Sequence, residues 1–263
     1  MADKMDDRCS APDAVPSPDT REITGYYDAY IVRQIQTAYN ERQLNLIEEM
    51  KSLGLRSNSN VLEIGCGVGI ITSLLAELIT SGRIVSLDIS PASIRVAQQF
   101  NRNSRNVEFV TGDLLALKKF PATRLNFILL FDVLEHIPLA EHRVNIQVLS
   151  SLAQSDTMIV VNIPSPQYNG FLREHERERL QVVDEVLETN ILVDNFYKCG
   201  FVLRSFKTYA MWVEDQYQLM VFKKRVAFAN RKVPAVRPSV SPIQALSRRL
   251  KLRRIMRMIT PRI

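Results

Sequence analysis

Three cysteines in 263 residues, Cys9, Cys66 and Cys199, are too few and too widely spaced for a disulfide framework or a zinc site. That content fits a reducing compartment, and a cytoplasmic location is the expectation. Histidine is equally scarce. With only His136, His142 and His175 available, no histidine-built metal centre is expected. No stretch approaches the roughly 18 apolar residues of a membrane span, and the opening MADKMDDR is charged where a signal peptide would be apolar. Acid is missing locally. After Asp215 there is no Asp or Glu, while thirteen Lys and Arg lie between Lys223 and Arg262. The first 215 residues hold 21 basic and 28 acidic side chains, so the chain's net charge of +6 comes from its tail. Glycine is sparse as well, yet three of the nine fall within the five residues Gly65 to Gly69.

That cluster is the centre of the sequence. In VLEIGCGVGIIT, Val61 to Thr72, an apolar run with one acid is closed by alternating glycines and followed by an amphipathic pattern. A continuous run of aliphatic residues over Asn60 to Ile64 reads as a parallel strand buried on both faces. The glycines let the backbone turn sharply and approach a ligand, while the next helix aims its positive N-terminus at the same point. A dinucleotide fingerprint, G-x-G-x-x-G, would need its third glycine at Ile70. The spacing therefore argues against NAD. A second strand, Gly82 to Asp88, ends in a carboxylate nineteen residues beyond Gly69, where α/β nucleotide folds place the acid that accepts ribose hydroxyls. Ser90 and Pro91 then open a helix to about Asn101, and Ile89 is placed to lie against an adenine. Asn106 to Asp113 is a third strand ending in Gly-Asp, and Asn126 to Phe131 a fourth that runs into DVLEHIP, Asp132 to Pro138.

Glu63-x-Gly65-x-Gly67-x-Gly69 resembles the first motif of the class I S-adenosylmethionine-dependent methyltransferases. DVLEHIP resembles the signature of their small-molecule members, bacterial biosynthetic enzymes related to ubiquinone-type O-methyltransferases. The resemblance covers roughly Asn60 to Ile163; Asn126 departs from it, since those relatives usually carry Asp at the head of this strand. It implies that Glu63 and the glycines hold the methionine end of S-adenosylmethionine, that Asp113 accepts from the adenine amino group, and that Leu114 and Phe131 belong to the cofactor wall. S-adenosylhomocysteine is the implied product. An aromatic ahead of the sheet closes over the cofactor carboxylate in many such enzymes, which makes Tyr27, with Tyr26, a candidate; packing is the other reading of both.

The implied fold is an α/β, Rossmann-like, doubly wound sheet of seven strands, five parallel plus a C-terminal antiparallel hairpin. It occupies residues 21–225, as one domain whose length and 46% hydrophobic content suffice for one core. Residues 1–20 are expected to be disordered. Ahead of the sheet, Ile31, Ile35, Tyr39, Leu44, Leu46, Ile47 and Met50 predict helices that lean on it. Leu139 to Leu152 has helical spacing and Thr157 to Ile163 reads as the fifth strand. The turn Pro164 to Gly170 and the charge-dense helical pattern after it make 164–189 a lid or substrate segment at the ligand-binding end of the sheet. Tyr168, Arg173 and His175 are its candidate acceptor contacts, against the reading of a solvated helix face. Asn190 to Cys199 reads as a helix stopped by Gly200, followed by the hairpin strands Phe201 to Tyr209 and Gln216 to Phe222.

In the tail, 226–242 reads as a proline-bearing linker. Beyond it, Leu252, Ile255, Met256 and Ile259 fall on one helical face and Arg249, Arg253, Arg254 and Arg257 on another. That pattern in 243–263 suits an anionic membrane surface, a nucleic acid backbone or an acidic partner. The expected function is transfer of a methyl group to an oxygen or nitrogen of a small-molecule or glycan-type acceptor. His136 is the candidate base, with a structural role after the fourth strand as its rival. RNA is the less favoured acceptor, because no Asn-Pro-Pro-aromatic run follows the fourth strand. A binding protein without turnover is the third reading.

Overall fold

The computed structural model describes residues 20–36, 39–117, 124–181 and 183–227. Helices α1 (Thr20–Gln36) and α2 (Glu41–Ser52) precede the sheet. Strands and helices then alternate: β1 (Val61–Ile64), α3 (Ile70–Leu78), β2 (Ile84–Asp88), α4 (Pro91–Phe100), β3 (Val107–Thr111), β4 (Phe127–Phe131), α5 (His142–Leu152), β5 (Met158–Pro164) and α6 (Pro166–His175). Helix α7 (Thr189–Lys198) leads into the hairpin β6 (Phe201–Tyr209) and β7 (Tyr217–Lys224).

The seven strands form one sheet in the order β3-β2-β1-β4-β5-β7-β6. Strands β1 to β5 are parallel, and β7 inserts antiparallel between β5 and β6. The expected sheet is the one observed. Strands β1 and β2 are buried throughout, as a sheet covered on both faces requires, and the edge strands β3 and β6 are largely exposed or half-buried. Successive side chains of β1 divide between two cores. Leu62 and Ile64 join Ile128, Leu130, Ile146 and Phe196 on one face, while Val61 joins Met50, Leu75, Phe127 and Val160 on the other. Phe196 of α7 stacks on Phe222 of β7, centroids 4.0 Å apart, and packs α7 against the hairpin.

Register decides where the ligand-binding end lies. Ile64 pairs with Leu87 and with Leu130, so β1, β2 and β4 end side by side. The order reverses between β1 and β4, the crevice in which open α/β sheets bind ligands. Because β7 runs against β5, with Pro164 opposite Tyr217, the β6–β7 turn stands at this same end. Asn126 is at the opposite end, where its carboxamide oxygen accepts from the Asn60 N–H at 2.8 Å and braces the start of β1.

Two expectations need correction. Leu46, Ile47 and Met50 are buried, but Ile35, Tyr39 and Leu44 are exposed; α1, which carries Ile35, lies against α4. The helix expected through 171–189 stops at His175; a short turn covers Arg177–Arg179, and no regular element follows until Thr189. Val183 and Leu187 are drawn into the core there, and Glu185 N–H donates to Glu135 O at 2.7 Å, which a helical backbone would not allow. The Tyr27 side chain, residues 1–19 and the tail beyond 227, with its 243–263 amphipathic pattern, lie outside the described residues.

Candidate active site

The glycine turn is shaped by what crowds it. Gly65 sits at φ +72°, and a Cβ built on it would stand 2.5 Å from a Val133 methyl, so any side chain would displace the loop after β4. The Gly65 and Cys66 N–H groups donate to the Leu87 carbonyl at 2.8 and 3.0 Å, folding the loop onto β2. Gly69, the N-cap of α3, backs onto Asn101, whose amide donates to the Gly69 carbonyl at 3.1 Å. From β2, Asp88 reaches across: its Oδ2 accepts from Gly67 N–H at 2.7 Å and its Oδ1 from Ser90 N–H at 2.9 Å. One buried carboxylate thus fixes both the glycine turn and the start of α4.

Glu63 lies beneath that turn, 4% exposed. Thr72 and Ser86 hydroxyls donate to its Oε2 at 2.6 and 2.8 Å. Burial pushes its carboxyl up to about 7; the two hydroxyls oppose that rise and the Asp88 charge adds to it.

The exit of β4 is equally constrained. Asp132 takes φ +55°, a left-handed conformation that is uncommon outside glycine. Its N–H donates to Asn162 O at 2.8 Å, its carboxylate pairs with Arg42 of α2, and Asn162 in turn accepts from Tyr209 OH at 2.6 Å. Arg42 also stacks over Tyr217, 5.0 Å from the ring centre. After the turn, His142 is fully buried and its Nε2 lies 3.0 Å from both the Leu134 and Ile137 carbonyls. Since a carbonyl only accepts, Nε2 carries the proton; burial lowers the imidazole's affinity for a second one. His136 Nδ1 lies 2.7 Å from the Val183 carbonyl, so in the neutral ring Nδ1 donates and Nε2 is the accepting nitrogen. Glu135 is 1% exposed with no hydrogen bond to either carboxylate oxygen, and burial together with Asp132 drives its carboxyl far above the ordinary range.

These elements enclose a cavity of about 380 Å³ at the carboxyl ends of β1, β2, β3 and β4. Glu63, Gly65, Gly67, Asp88, Ile89, Asp113, Leu114, Phe131 and His136 line it together. Gly69 does not; it packs behind, against α4. The candidate acceptor contacts are placed elsewhere. Tyr168 OH accepts from Arg179 at 3.0 Å, Arg173 donates to the Asp184 carbonyl, and His175 stacks on Phe171 at 4.6 Å, all three outside the cavity wall. Gln181 is the wall residue that segment 164–189 supplies. Sequence reasoning missed Tyr30, Asn40, Arg42 and Gln43, which line the wall from α1 and α2. The Asn40–Gln43 capping box was a readable signal for where α2 starts, though not for what it faces. Among the described residues no cluster of three His, Cys, Asp or Glu is arranged to hold a metal ion.

The family profile described as a methyltransferase domain matches residues 55–221, well over half of the chain. The chain belongs to this methyltransferase-domain family. Curated relatives match in part: the malonyl-[acyl-carrier protein] O-methyltransferase of Acetivibrio thermocellus is 34% identical over 88 residues, 34% of this chain and 29% of that protein. The 2-phytyl-1,4-naphtoquinone methyltransferase of Thermosynechococcus vestitus is 35% identical over 72 residues, 27% of this chain and 32% of that one. The methyltransferase chain thus spans about a third of the length of the curated relatives it matches. Among solved structures, magnesium protoporphyrin IX methyltransferase from Synechocystis, with bound SAH, superposes with a TM-score of 0.63 at 16% identity. That match covers 79% of this chain and all of the other, and it establishes the shared fold.

Proposed function

We propose that this methyltransferase-domain chain moves a methyl group from S-adenosylmethionine to an oxygen or nitrogen of a small-molecule or glycan/lipid-linked acceptor. The observation that carries the reading is the cavity in which a glycine turn, the β2 carboxylate Asp88, the β3 carboxylate Asp113 and His136 all meet. The residues fit the cofactor. Asp88 is fixed in the cavity wall by the Gly67 and Ser90 N–H groups and offers the carboxylate to which a ribose diol would donate. The cavity volume lies within the roughly 300–1,000 Å³ of small-molecule sites. Partial relatives bear names of malonyl-carrier and naphthoquinone methyltransferases, which favours a small-molecule acceptor over a nucleic acid.

The cofactor, when bound, supplies a methyl group on an already activated sulfonium. What is left to the protein is positioning and removal of one proton from the acceptor. His136 does the second. Its Nδ1–H is held by Val183 O, which sets the ring's orientation and makes Nε2, 4.0 Å from Glu135 Oε1, the basic nitrogen of this cavity-wall residue. The paired Arg42 and Asp132 close the α2 side of the wall, where one donor and one acceptor group can orient an oxygen-bearing acceptor. The Lys and Arg residues of 243–263 supply attraction to an anionic membrane surface, at about 1 kcal/mol for each one close to it.

The test is SAH release from S-adenosylmethionine in the presence of malonyl-carrier, quinol and glycan acceptors. Turnover with one of these classes, lost by about 100-fold or more in His136→Asn, supports the reading. Asn retains a donor for Val183 O but has no basic nitrogen. Equal turnover in both proteins would remove His136 from the chemistry.

A further inference from the structure

The β6–β7 turn projects from the ligand-binding end of the sheet with its apolar side chains outward. Trp212 is 61% exposed and Val213 51%, values that a turn free to fold inward would not retain for adjacent apolar residues. The turn is held in this form. Trp212 N–H donates to the buried Gln216 side chain at 3.1 Å, and Gln216 O accepts from Ser165 N–H at 2.9 Å at the end of β5. Asp215 contributes a left-handed residue, φ +50°. On its other flank the turn meets α2, where Asn45 donates to Met211 Sδ at 3.2 Å. The neighbouring Leu44 is 48% exposed, and Arg42 and Gln43 beside it line the cavity. Leu44, Trp212 and Val213 thus face solvent on two segments that meet at Asn45–Met211 and at Arg42–Tyr217, and Arg42 lines the cavity.

The geometry points to this turn as a wedge that seats the mouth of the cavity on a lipid bilayer. Two features favour a bilayer over a protein partner. The exposed apolar groups sit on a hairpin turn, and a turn led by one Trp suits the membrane–water interface, where its amphipathic ring is most stable. The same chain also carries thirteen cations and no acid after Asp215, the charge that an anionic leaflet selects. Lasting surface attachment takes two signals, and an apolar wedge plus a basic segment supplies both. Glu214 and Asp215, exposed beside the tip, are repelled by an anionic leaflet, so the wedge acts by apolar burial and the attraction to anionic lipid comes from the basic segment. Resting on the methyl-transfer reading, the inference also narrows the acceptor: an amphiphile whose methylated group stands at head-group level, delivered from the bilayer to the cavity.

Trp212 is the only tryptophan in the chain, so its emission reports on the wedge alone. Full-length protein is mixed with phosphatidylcholine vesicles containing or lacking phosphatidylglycerol, and emission and co-sedimentation are read together. The expected result is a blue shift on the phosphatidylglycerol vesicles and quenching by brominated acyl chains. Val213→Glu should weaken vesicle binding by about tenfold or more while SAH affinity holds. Sedimentation with an unmoved, unquenched Trp212 would assign attachment to other parts of the chain and overturn the wedge. So would a blue shift that grows with protein concentration in the absence of lipid, which would assign the tip to a second copy. Failure of SAH to bind would sink the methyl-transfer reading and leave the vesicle result intact, so the two failures are distinguishable.

Discussion

Replacing Glu63 by Gln should change how stability depends on pH, in a direction fixed by where the carboxyl sits. Burial raises it from 4.5 to about 7 in the folded chain, despite hydrogen bonds from Thr72 and Ser86. Between those two values the native state binds a proton that the unfolded chain has released, so stability falls as pH rises. The favourable contribution is complete below about 4.5 and is lost as pH passes through 7. A shift of this size corresponds to about 3 kcal/mol at about 1.4 kcal/mol per pH unit. The substituted amide cannot titrate; it keeps a carbonyl oxygen for the two hydroxyls and adds a constant penalty for its buried NH₂ group. The stability difference between wild type and Glu63→Gln therefore isolates this one group, since distant carboxylates cancel. Urea denaturation at pH 5, 6, 7 and 8 measures it. The difference should move by about 2–3 kcal/mol against the wild type from pH 5 to pH 8, slightly less than the full shift because part of it is already lost by pH 5. A difference that stays flat, or runs the other way, would show that Glu63 is ionised throughout and that its burial is overstated.

Phe196→Ala removes a fully buried ring stacked on Phe222 and should cost about 3–5 kcal/mol in denaturant melts. Gly65→Ala forces a left-handed residue against Val133 and should lower stability by at least about 1–2 kcal/mol; SAH affinity should fall as well, which calorimetry would detect. Tyr209→Phe leaves Asn162 without the donor that holds it beside Asp132, and a loss of about 1–2 kcal/mol in thermal unfolding is expected. A Tyr209→Phe protein as stable as wild type would remove this relay from the account.

The sheet was readable because buried parallel strands leave continuous apolar runs, as in VLEI, IVSLD and FILLF, each closed by residues that stop a strand. The acids that gather at one end were readable for the same reason: Asp88 and Asp113 follow the strands, so their clustering comes with parallel topology. What could not be read depends on contacts between segments far apart in the chain. Arg42 enters the cavity wall because α2 lies beside Tyr217, 175 residues later, and no local pattern announces that. The helix expected through Thr189 followed from a dense run of charge, yet Val183 and Leu187 were the stronger influence; their burial and the Glu185–Glu135 bond pull the chain out of helical form. Likewise the apolar spacing in α1 was real, but Val32 and Ile35 face outward, because that helix packs on α4.

The central claim is that the glycine turn and Asp88 form an S-adenosylmethionine site, and calorimetric titration of wild type and Asp88→Ala with SAH addresses it most directly. Wild type should bind SAH and ignore NADH. In the variant, loss of the charge-assisted partner for two ribose hydroxyls should weaken binding by about 1.5–3 kcal/mol, or roughly 10- to 150-fold. The freed Gly67 and Ser90 N–H groups should also lower the melting temperature. Unchanged SAH affinity in Asp88→Ala, or NADH binding as tight as SAH in wild type, would contradict the account.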